Sequence, residues 1–152
     1  MTTVVNGLAE LAALAGRELD PSDWHRISQE RIDTFAAATG DHQWIHVDPE
    51  RAATGPFGTT IAHGYLTLAL LIPLWSQLLR IDGIRMAVNY GLNRVRLPAP
   101  VPAGGQVRLR ARVAEVENLG VESVQTIVDF TMELRDAPKP ALVAEAVYRY
   151  YA

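Results

Sequence analysis

The spacing of apolar residues changes near the middle of the chain, at Gly83. Before this point apolar positions recur about every 3.6 residues, which predicts helices, and after it they alternate with polar positions, which predicts strands. The alternating runs cover residues 86–90, 107–113, 124–134 and 142–151. Because their connections are short and contain turn residues, we expect a mostly antiparallel sheet with one buried face.

The segment from Gly64 to about Leu79 is apolar on nearly every side. A helix with so little polar surface belongs inside a domain. We therefore predict an α+β fold in which a curved antiparallel sheet wraps around a long central helix, with residues 1–152 forming one domain. Pro73 lies inside this helix and predicts a kink or a break there.

Capping residues predict where the helix before the first candidate acid begins and ends. Ser28 supplies an N-cap oxygen and Gly40 is a typical C′ residue, so a helix is expected from Gln29 to about Thr39. Asp41 then stands at the head of a loop and not on the side of a helix.

Other local signals predict three smaller elements. Asp48 followed by proline favours a short helix over residues 49–53. An amphipathic N-terminal helix is expected to end at Gly16. Residues 23–27 could form a short edge strand.

Composition excludes several classes of function. The chain of 152 residues has a formal net charge of −3 and one lysine, Lys139, so it offers no basic field for nucleic acid. The alternating arginines 108, 110 and 112 are expected to be solvated charges on the outer face of a strand. With no cysteine, a disulfide, a thiolate nucleophile and a cysteine-based zinc site are impossible.

The hydropathy pattern shows no targeting or membrane segment. The longest apolar run, from Tyr65 to Trp75, is about half the length that a membrane span requires. The first sixteen residues lack the basic start of a secretory signal. We therefore expect a cytoplasmic protein that does not bind a membrane.

The candidate chemistry is concentrated around Asp41 and His46, with a second part at His63 and Gly64. Acids and imidazoles of this kind could hold a metal ion, but the spacings typical of metal sites are missing. No serine lies in a Gly-x-Ser-x-Gly elbow, and no glycine-rich segment matches a phosphate loop or a dinucleotide fingerprint. We expect neither a metal nor a cofactor.

Three segments together resemble one family: Ala38-Thr39-Gly40-Asp41, Ile45-His46-Val47-Asp48-Pro49 and Ala62-His63-Gly64. They are similar to the MaoC-like (R)-specific enoyl-CoA hydratases of the hotdog fold, in particular the small MaoC/NodN-type dehydratases with a single hotdog. The resemblance runs from about Ser28 to the C-terminus. It implies (R)-specific hydration of trans-2-enoyl-CoA to (3R)-3-hydroxyacyl-CoA, together with the reverse dehydration.

The resemblance also implies a role for individual residues. Asp41 and His46 would hold the reacting water and share the proton transfer, while the backbone N–H of Gly64 would face the thioester oxygen. A free N–H at a helix start suits that task. The further substrate-binding residues implied are His63, Tyr65, Gln43, Trp44 and Ile72.

The chain departs from the family pattern at two places. Gln43-Trp44 stands where many of these hydratases have Asn-Pro, which bears on substrate preference. Ile72 occupies about the position at which some relatives carry a serine near the catalytic acid. A serine that supports the catalytic acid is therefore absent here, or another residue takes its place.

Two alternative functions share this fold. A hotdog acyl-CoA thioesterase commonly has a carboxylate on or beside the central helix, and residues 64–79 contain none. The other alternative is a non-catalytic module that binds acyl-CoA or a small ligand. In each case we expect a homodimer, because a single curled sheet leaves a long unpaired edge that a second copy would cover.

Overall fold

The computed structural model describes residues 1–152 and contains seven strands and six helices. The strands are β1 (Thr3–Asn6), β2 (His25–Arg26), β3 (Leu79–Asp82), β4 (Met86–Arg96), β5 (Gln106–Gly120), β6 (Ser123–Leu134) and β7 (Leu142–Tyr151). The helices are α1 (Gly7–Ala12), α2 (Gln29–Thr39), α3 (Trp44–Val47), α4 (Pro49–Ala53), α5 (Gly64–Ala69) and α6 (Leu71–Leu78). The four predicted alternating runs are β4 to β7.

Five strands form one antiparallel sheet in the order β2-β5-β6-β7-β4. The short strand predicted over residues 23–27 is confirmed as β2 at one edge, and β4 forms the other edge. Apolar residues of α5 and α6 pack in one core cluster with the inner faces of β5, β6 and β7. The predicted α+β architecture, a sheet curved around an apolar helix, is therefore confirmed.

The central helix consists of two short segments and is not one long helix. Helix α5 ends at Ala69, Leu70 keeps a helical conformation between the segments, and α6 begins at the next residue. Pro73 has no N–H to donate to the carbonyl of Ala69, four residues earlier, so the regular hydrogen-bond ladder is interrupted there. The break predicted from this proline is confirmed.

A parallel strand pair, β1 with β3, was not predicted. Thr3 pairs with Leu79 and Asn6 with Asp82, directly after the central helix ends. Leu79 was expected to be the last residue of that helix, but it begins β3. No local pattern could reveal this pairing because the partners lie far apart in the sequence.

The predicted caps around the site are present. The Ser28 hydroxyl accepts a hydrogen bond from the N–H of Arg31 at 3.1 Å, and Gly40 ends α2 with a left-handed φ of 77°. The carboxylate of Asp48 accepts the N–H of Arg51 at 3.0 Å. Asp48 is therefore an N-cap of α4, as predicted.

The row of arginines on β5 lies on the outer face of the sheet and forms ion pairs. Arg108 contacts Glu133 at 2.5 Å, Arg110 contacts Glu18 at 2.6 Å, and Arg112 lies 3.6 Å from Asp129. The expectation of solvated strand charges is confirmed for Arg110 and Arg112, whereas Arg108 is partly buried with Glu133 and over the Trp24 ring. None of the helices has the length and hydropathy needed to cross a lipid bilayer.

Candidate active site

The left-handed turn at Gly40 brings Asp41 to the surface at the end of α2. One carboxylate oxygen of Asp41 accepts a hydrogen bond from the N–H of Gln43 at 3.3 Å, which fixes the first turn of the loop. The Asp41 side chain remains 51% exposed. The acid is therefore held in place and is accessible to a molecule arriving from solvent.

His46 lies on α3 and is buried, with 6% of its surface exposed. Its Nδ1 lies 2.7 Å from the carbonyl oxygen of Ile61. A carbonyl oxygen only accepts hydrogen bonds, so Nδ1 carries a proton, and in the neutral imidazole the lone pair is on Nε2. The N–H of Ile61 in turn donates to the carbonyl of Ile45 at 3.0 Å, so the two segments hold each other.

His63 is the residue before α5 and is almost completely buried, with 2% exposure. Its ring stacks on the ring of His46, with centroids 3.8 Å apart and planes inclined by 23°. Phe35 of α2 packs against it, with ring centroids 4.8 Å apart. The sequence places His63 seventeen positions after His46, and the fold brings the two imidazoles into contact.

The structure brings together the three candidate side chains Asp41, His46 and His63. One polar atom from each lies within 4.8 Å of the other two.

The same three groups could be considered as metal ligands. A ring nitrogen binds a metal in the plane of its ring, at about 2.0–2.1 Å for zinc. Two rings stacked nearly parallel do not direct their lone pairs to one point, so the arrangement suits proton transfer better.

Gly64 is the first residue of α5, and its N–H has no acceptor within the chain. A Cβ atom at this position would lie 2.6 Å from Cδ1 of Leu97. Its backbone φ is not left-handed, so conformation does not require glycine, and the space beside its Cα is taken by the flexible end of the Leu97 side chain. The N–H of Gly64 is therefore free of a partner within the chain, and Leu97 is the side chain packed beside its Cα.

Gln29 contributes to the site and was missed by sequence reasoning. Its amide nitrogen donates to the carbonyl of His46 at 2.7 Å and to the carboxylate of Asp33 at 2.8 Å. Its amide oxygen accepts the hydroxyl of Thr60, which is 2% exposed. Gln29 thus holds both α3 and the segment before Ile61. Its partners are remote in sequence, so only its place at the start of α2 was predictable.

Apolar space extends from the start of α5 along α6. Tyr65 is 77% exposed and, with Ile72, lines a cavity of about 200 Å³. A neighbouring cavity of about 410 Å³ shares Ile72, Asn89 and Tyr148 with it. Burial raises the pKa of the Tyr148 phenol, which keeps it neutral. These two adjoining cavities beside α5 and α6 are together called the apolar groove.

Gln43 and Trp44 are positioned by α3 and α4. Gln43 is the exposed N-cap residue of α3. The guanidinium carbon of Arg51 lies 4.3 Å from the centroid of the Trp44 ring. A Cβ atom at Gly55 would come within 3.0 Å of this ring, so glycine permits the packing. Contact of either residue with a substrate remains a prediction.

Comparisons with known proteins show the family to which this chain belongs. Residues 10–133 match the family described as MaoC like domain. The 3-hydroxyacyl-thioester dehydratase Z of Mycobacterium tuberculosis is 57% identical to this chain over 145 residues, which cover 95% of this chain and 96% of that protein. Nodulation protein N of Rhizobium leguminosarum bv. viciae is 45% identical over 139 residues, covering 90% and 86% of the two chains.

A solved structure extends the similarity to three dimensions. The R-hydratase PhaJ1 from Pseudomonas aeruginosa, in its unliganded form, superposes with a TM-score of 0.69 and is 27% identical. The match covers 92% of this chain and 82% of that one. The sheet and its central helix are therefore arranged as in a protein named as an R-hydratase.

The role of Gln29 can be tested by its effect on stability. Replacing Gln29→Leu leaves the buried Thr60 hydroxyl and the carbonyl of His46 without their partner. We expect the free energy of unfolding to fall by about 1–3 kcal/mol, measured by urea denaturation. Gln77→Leu is the matched control, because the only side-chain hydrogen bond of this exposed amide, to His25 at 3.0 Å, lies in solvent and should contribute no more than about 0.5 kcal/mol. Equal losses in the two variants would contradict the assignment.

Proposed function

Because this chain belongs to the MaoC-like dehydratase family of hydro-lyases with the hotdog fold, we propose that it catalyses the reversible (R)-specific hydration of trans-2-enoyl-CoA to (3R)-3-hydroxyacyl-CoA. The observation that carries this proposal is the separation of Asp41 from His46. A carboxylate oxygen and a ring nitrogen of the two residues lie within 4.8 Å of each other. One water molecule bridging two acceptors with ordinary hydrogen bonds requires them to be about 4.6 Å apart.

The protonation of His46 supports its use as an acceptor for that water. Nδ1–H donates to the carbonyl of Ile61, so Nε2 is the nitrogen that can accept a proton. The carboxylate of Asp41 is the second acceptor. Two acceptors orient both hydrogens of the water and leave its oxygen lone pair free to attack.

The reaction then follows from general acid–base catalysis. The water oxygen bonds to the β-carbon of the enoyl thioester while one water proton passes to the pair formed by Asp41 and His46. The π electrons move toward the thioester, and the same proton is returned to the α-carbon. One water is thus added across the double bond, and the pair ends in its starting protonation state.

The N–H of Gly64 is proposed to stabilise the negative charge that develops on the thioester oxygen. It is a free backbone donor at the start of α5, next to His63. A fixed donor aimed at developing charge lowers the barrier without reorganisation during the reaction. The absence of a side chain lets the thioester approach this N–H closely.

We propose that the acyl chain lies in the apolar groove beside α5 and α6. Tyr65 and Ile72 line its first cavity, and the groove continues to Ile81 and Ile84 in the second. Burial of apolar chain surface contributes about 25 cal/mol per Å². The first cavity is lined by Tyr65, the residue that follows Gly64, and we propose that a chain placed there directs its thioester toward the free N–H of Gly64.

The edge strand β4 supports the proposed homodimer. Its exposed apolar residues include Met86 (45%), Tyr90 (58%) and Leu92 (41%), and one side of the strand has no neighbour in the sheet. An edge of this kind invites pairing with another strand. A second copy of this chain would supply its own β4 as the partner strand, in a twofold-symmetric contact.

The central prediction concerns the two proposed catalytic residues. Asp41→Asn and His46→Gln should fold and dimerise normally but lose at least about 100-fold in kcat for hydration of crotonyl-CoA. His42→Gln is the matched control, because His42 is exposed and makes no side-chain hydrogen bond. Turnover is measured as loss of enoyl absorbance, and the product is tested for the (3R) configuration.

Three outcomes of this assay would contradict the proposal. Normal turnover by either variant would remove the residue concerned from the mechanism. Release of free CoA from saturated acyl-CoA, without hydration, would favour a thioesterase. Binding of acyl-CoA without either reaction would favour a non-catalytic module.

A second prediction separates two reasons for glycine at position 64. Gly64→Ala should reduce kcat by about 10-fold or more, because its methyl group obstructs the thioester. Since the same methyl group would also meet Leu97, the double variant Gly64→Ala with Leu97→Ala removes that clash. We expect the loss to persist in the double variant. Full recovery would mean that glycine only makes room for Leu97.

A third prediction concerns the proposed dimer. Leu92→Asp places a carboxylate on the β4 edge and should shift the protein toward monomer, measured by light scattering after size-exclusion chromatography. Val121→Asp is the control, because Val121 is fully exposed at the β5–β6 turn. A monomeric wild-type protein, or an undisturbed dimer in Leu92→Asp, would contradict the proposed interface.

A further inference from the structure

His63 is a buried histidine in which only one of the two ring nitrogens has a hydrogen-bond partner. Nε2 lies 3.0 Å from the main-chain carbonyl oxygen of Asp41, whereas Nδ1 is buried and has no hydrogen-bond partner. A buried polar atom without a partner destabilises the folded state. An apolar ring of similar size would avoid this cost. Packing alone therefore does not explain why position 63 is a histidine.

The contacts of His63 connect the three parts of the proposed reaction centre. Its N–H holds the carbonyl of Asp41, and its ring stacks at 3.8 Å on the ring of His46. Its own backbone leads directly into Gly64. One buried side chain therefore touches both proposed proton-transfer residues and precedes the proposed oxyanion donor.

We propose that His63 is a positioning residue that fixes Asp41 relative to His46 and Gly64. This inference rests on the proposed hydratase function. The hydrogen bond to Asp41 restrains the main chain of an otherwise exposed loop, and the stacking restrains the His46 ring. Proton transfer is sensitive to such restraint because a displacement of about 1 Å can lower a rate about 100-fold.

In their neutral forms the two imidazoles carry their protons on opposite nitrogens. The carbonyl of Asp41 only accepts a hydrogen bond, so His63 is protonated at Nε2 and Nδ1 has the lone pair. His46 donates from Nδ1 to Ile61 and has its lone pair at Nε2. This pair of tautomers is a property of the folded protein alone and does not depend on any activity.

Nitrogen NMR of histidine-labelled protein tests the tautomers directly. Long-range correlations should identify His63 as the Nε2–H form and His46 as the Nδ1–H form. Observation of His63 in the Nδ1–H form would overturn the proposal, because the hydrogen bond to Asp41 could not then exist. This measurement remains valid if the wild-type protein fails to hydrate crotonyl-CoA, so the two failures are distinguishable.

Two substitutions separate positioning from packing. His63→Phe keeps a ring against His46 but loses both the N–H and the unpaired nitrogen. We expect an unchanged or higher thermal midpoint, a kcat lowered by about 10- to 100-fold, and a KM within about threefold of wild type. His63→Gln loses the ring but keeps an N–H donor of similar reach, and it should recover part of the kcat lost in the phenylalanine variant.

The expected pattern is a loss of kcat without a loss of stability, with partial rescue by glutamine. Wild-type kcat in His63→Phe would overturn the proposal, since the N–H would then be dispensable. A lower thermal midpoint in both variants, with glutamine no more active than phenylalanine, would also overturn it. That pattern would mean that the histidine serves only to fill the core.

Discussion

The hydrogen bond from His46 to the carbonyl of Ile61 is the constraint on which the rest of the site depends. It decides which ring nitrogen can accept a proton, and it ties α3 to the segment that leads into α5. A hydrogen bond between a buried imidazole and a main-chain carbonyl fixes both the tautomer and the ring orientation. Asp41, His63 and Gly64 are arranged around the His46 imidazole, in which Nε2 is the nitrogen left to accept a proton.

The site combines a rigid part with an exposed part. His46 and His63 are buried and stacked. Gln29 of α2 holds the main-chain carbonyl of His46 and the hydroxyl of Thr60, and Phe35 of α2 packs on the ring of His63. Asp41, in contrast, is half-exposed on a loop. Rigid elements hold the groups whose geometry must be accurate, while the exposed acid leaves a path for substrate. The sheet contributes no side chain to this cluster and serves as its support.

Local features of the site could be predicted from sequence, whereas its remote contacts could not. Ser28, Gly40 and Asp48 are caps whose partners lie within a few residues, so their residue type reveals their role. The Gln29 bridge and the stacking of His63 on His46 depend on residues brought together by the fold. The family resemblance supplied the pair of Asp41 and His46, but it did not indicate how the ring of His46 is held. The short α3 helix also went unpredicted, since four residues give too little periodicity to recognise.

The parallel pairing of β1 with β3 has a consequence for the order in which the chain folds. Residues Thr3 to Asn6 are synthesised before their partners Leu79 to Asp82, which follow only after the whole central helix has been made. The first strand must therefore wait unpaired during synthesis, and its closure is a late, non-local step. When it closes, β1 secures the strand that directly follows α6, the second segment of the central helix. An incomplete chain thus lacks this restraint until the central helix and β3 have both emerged.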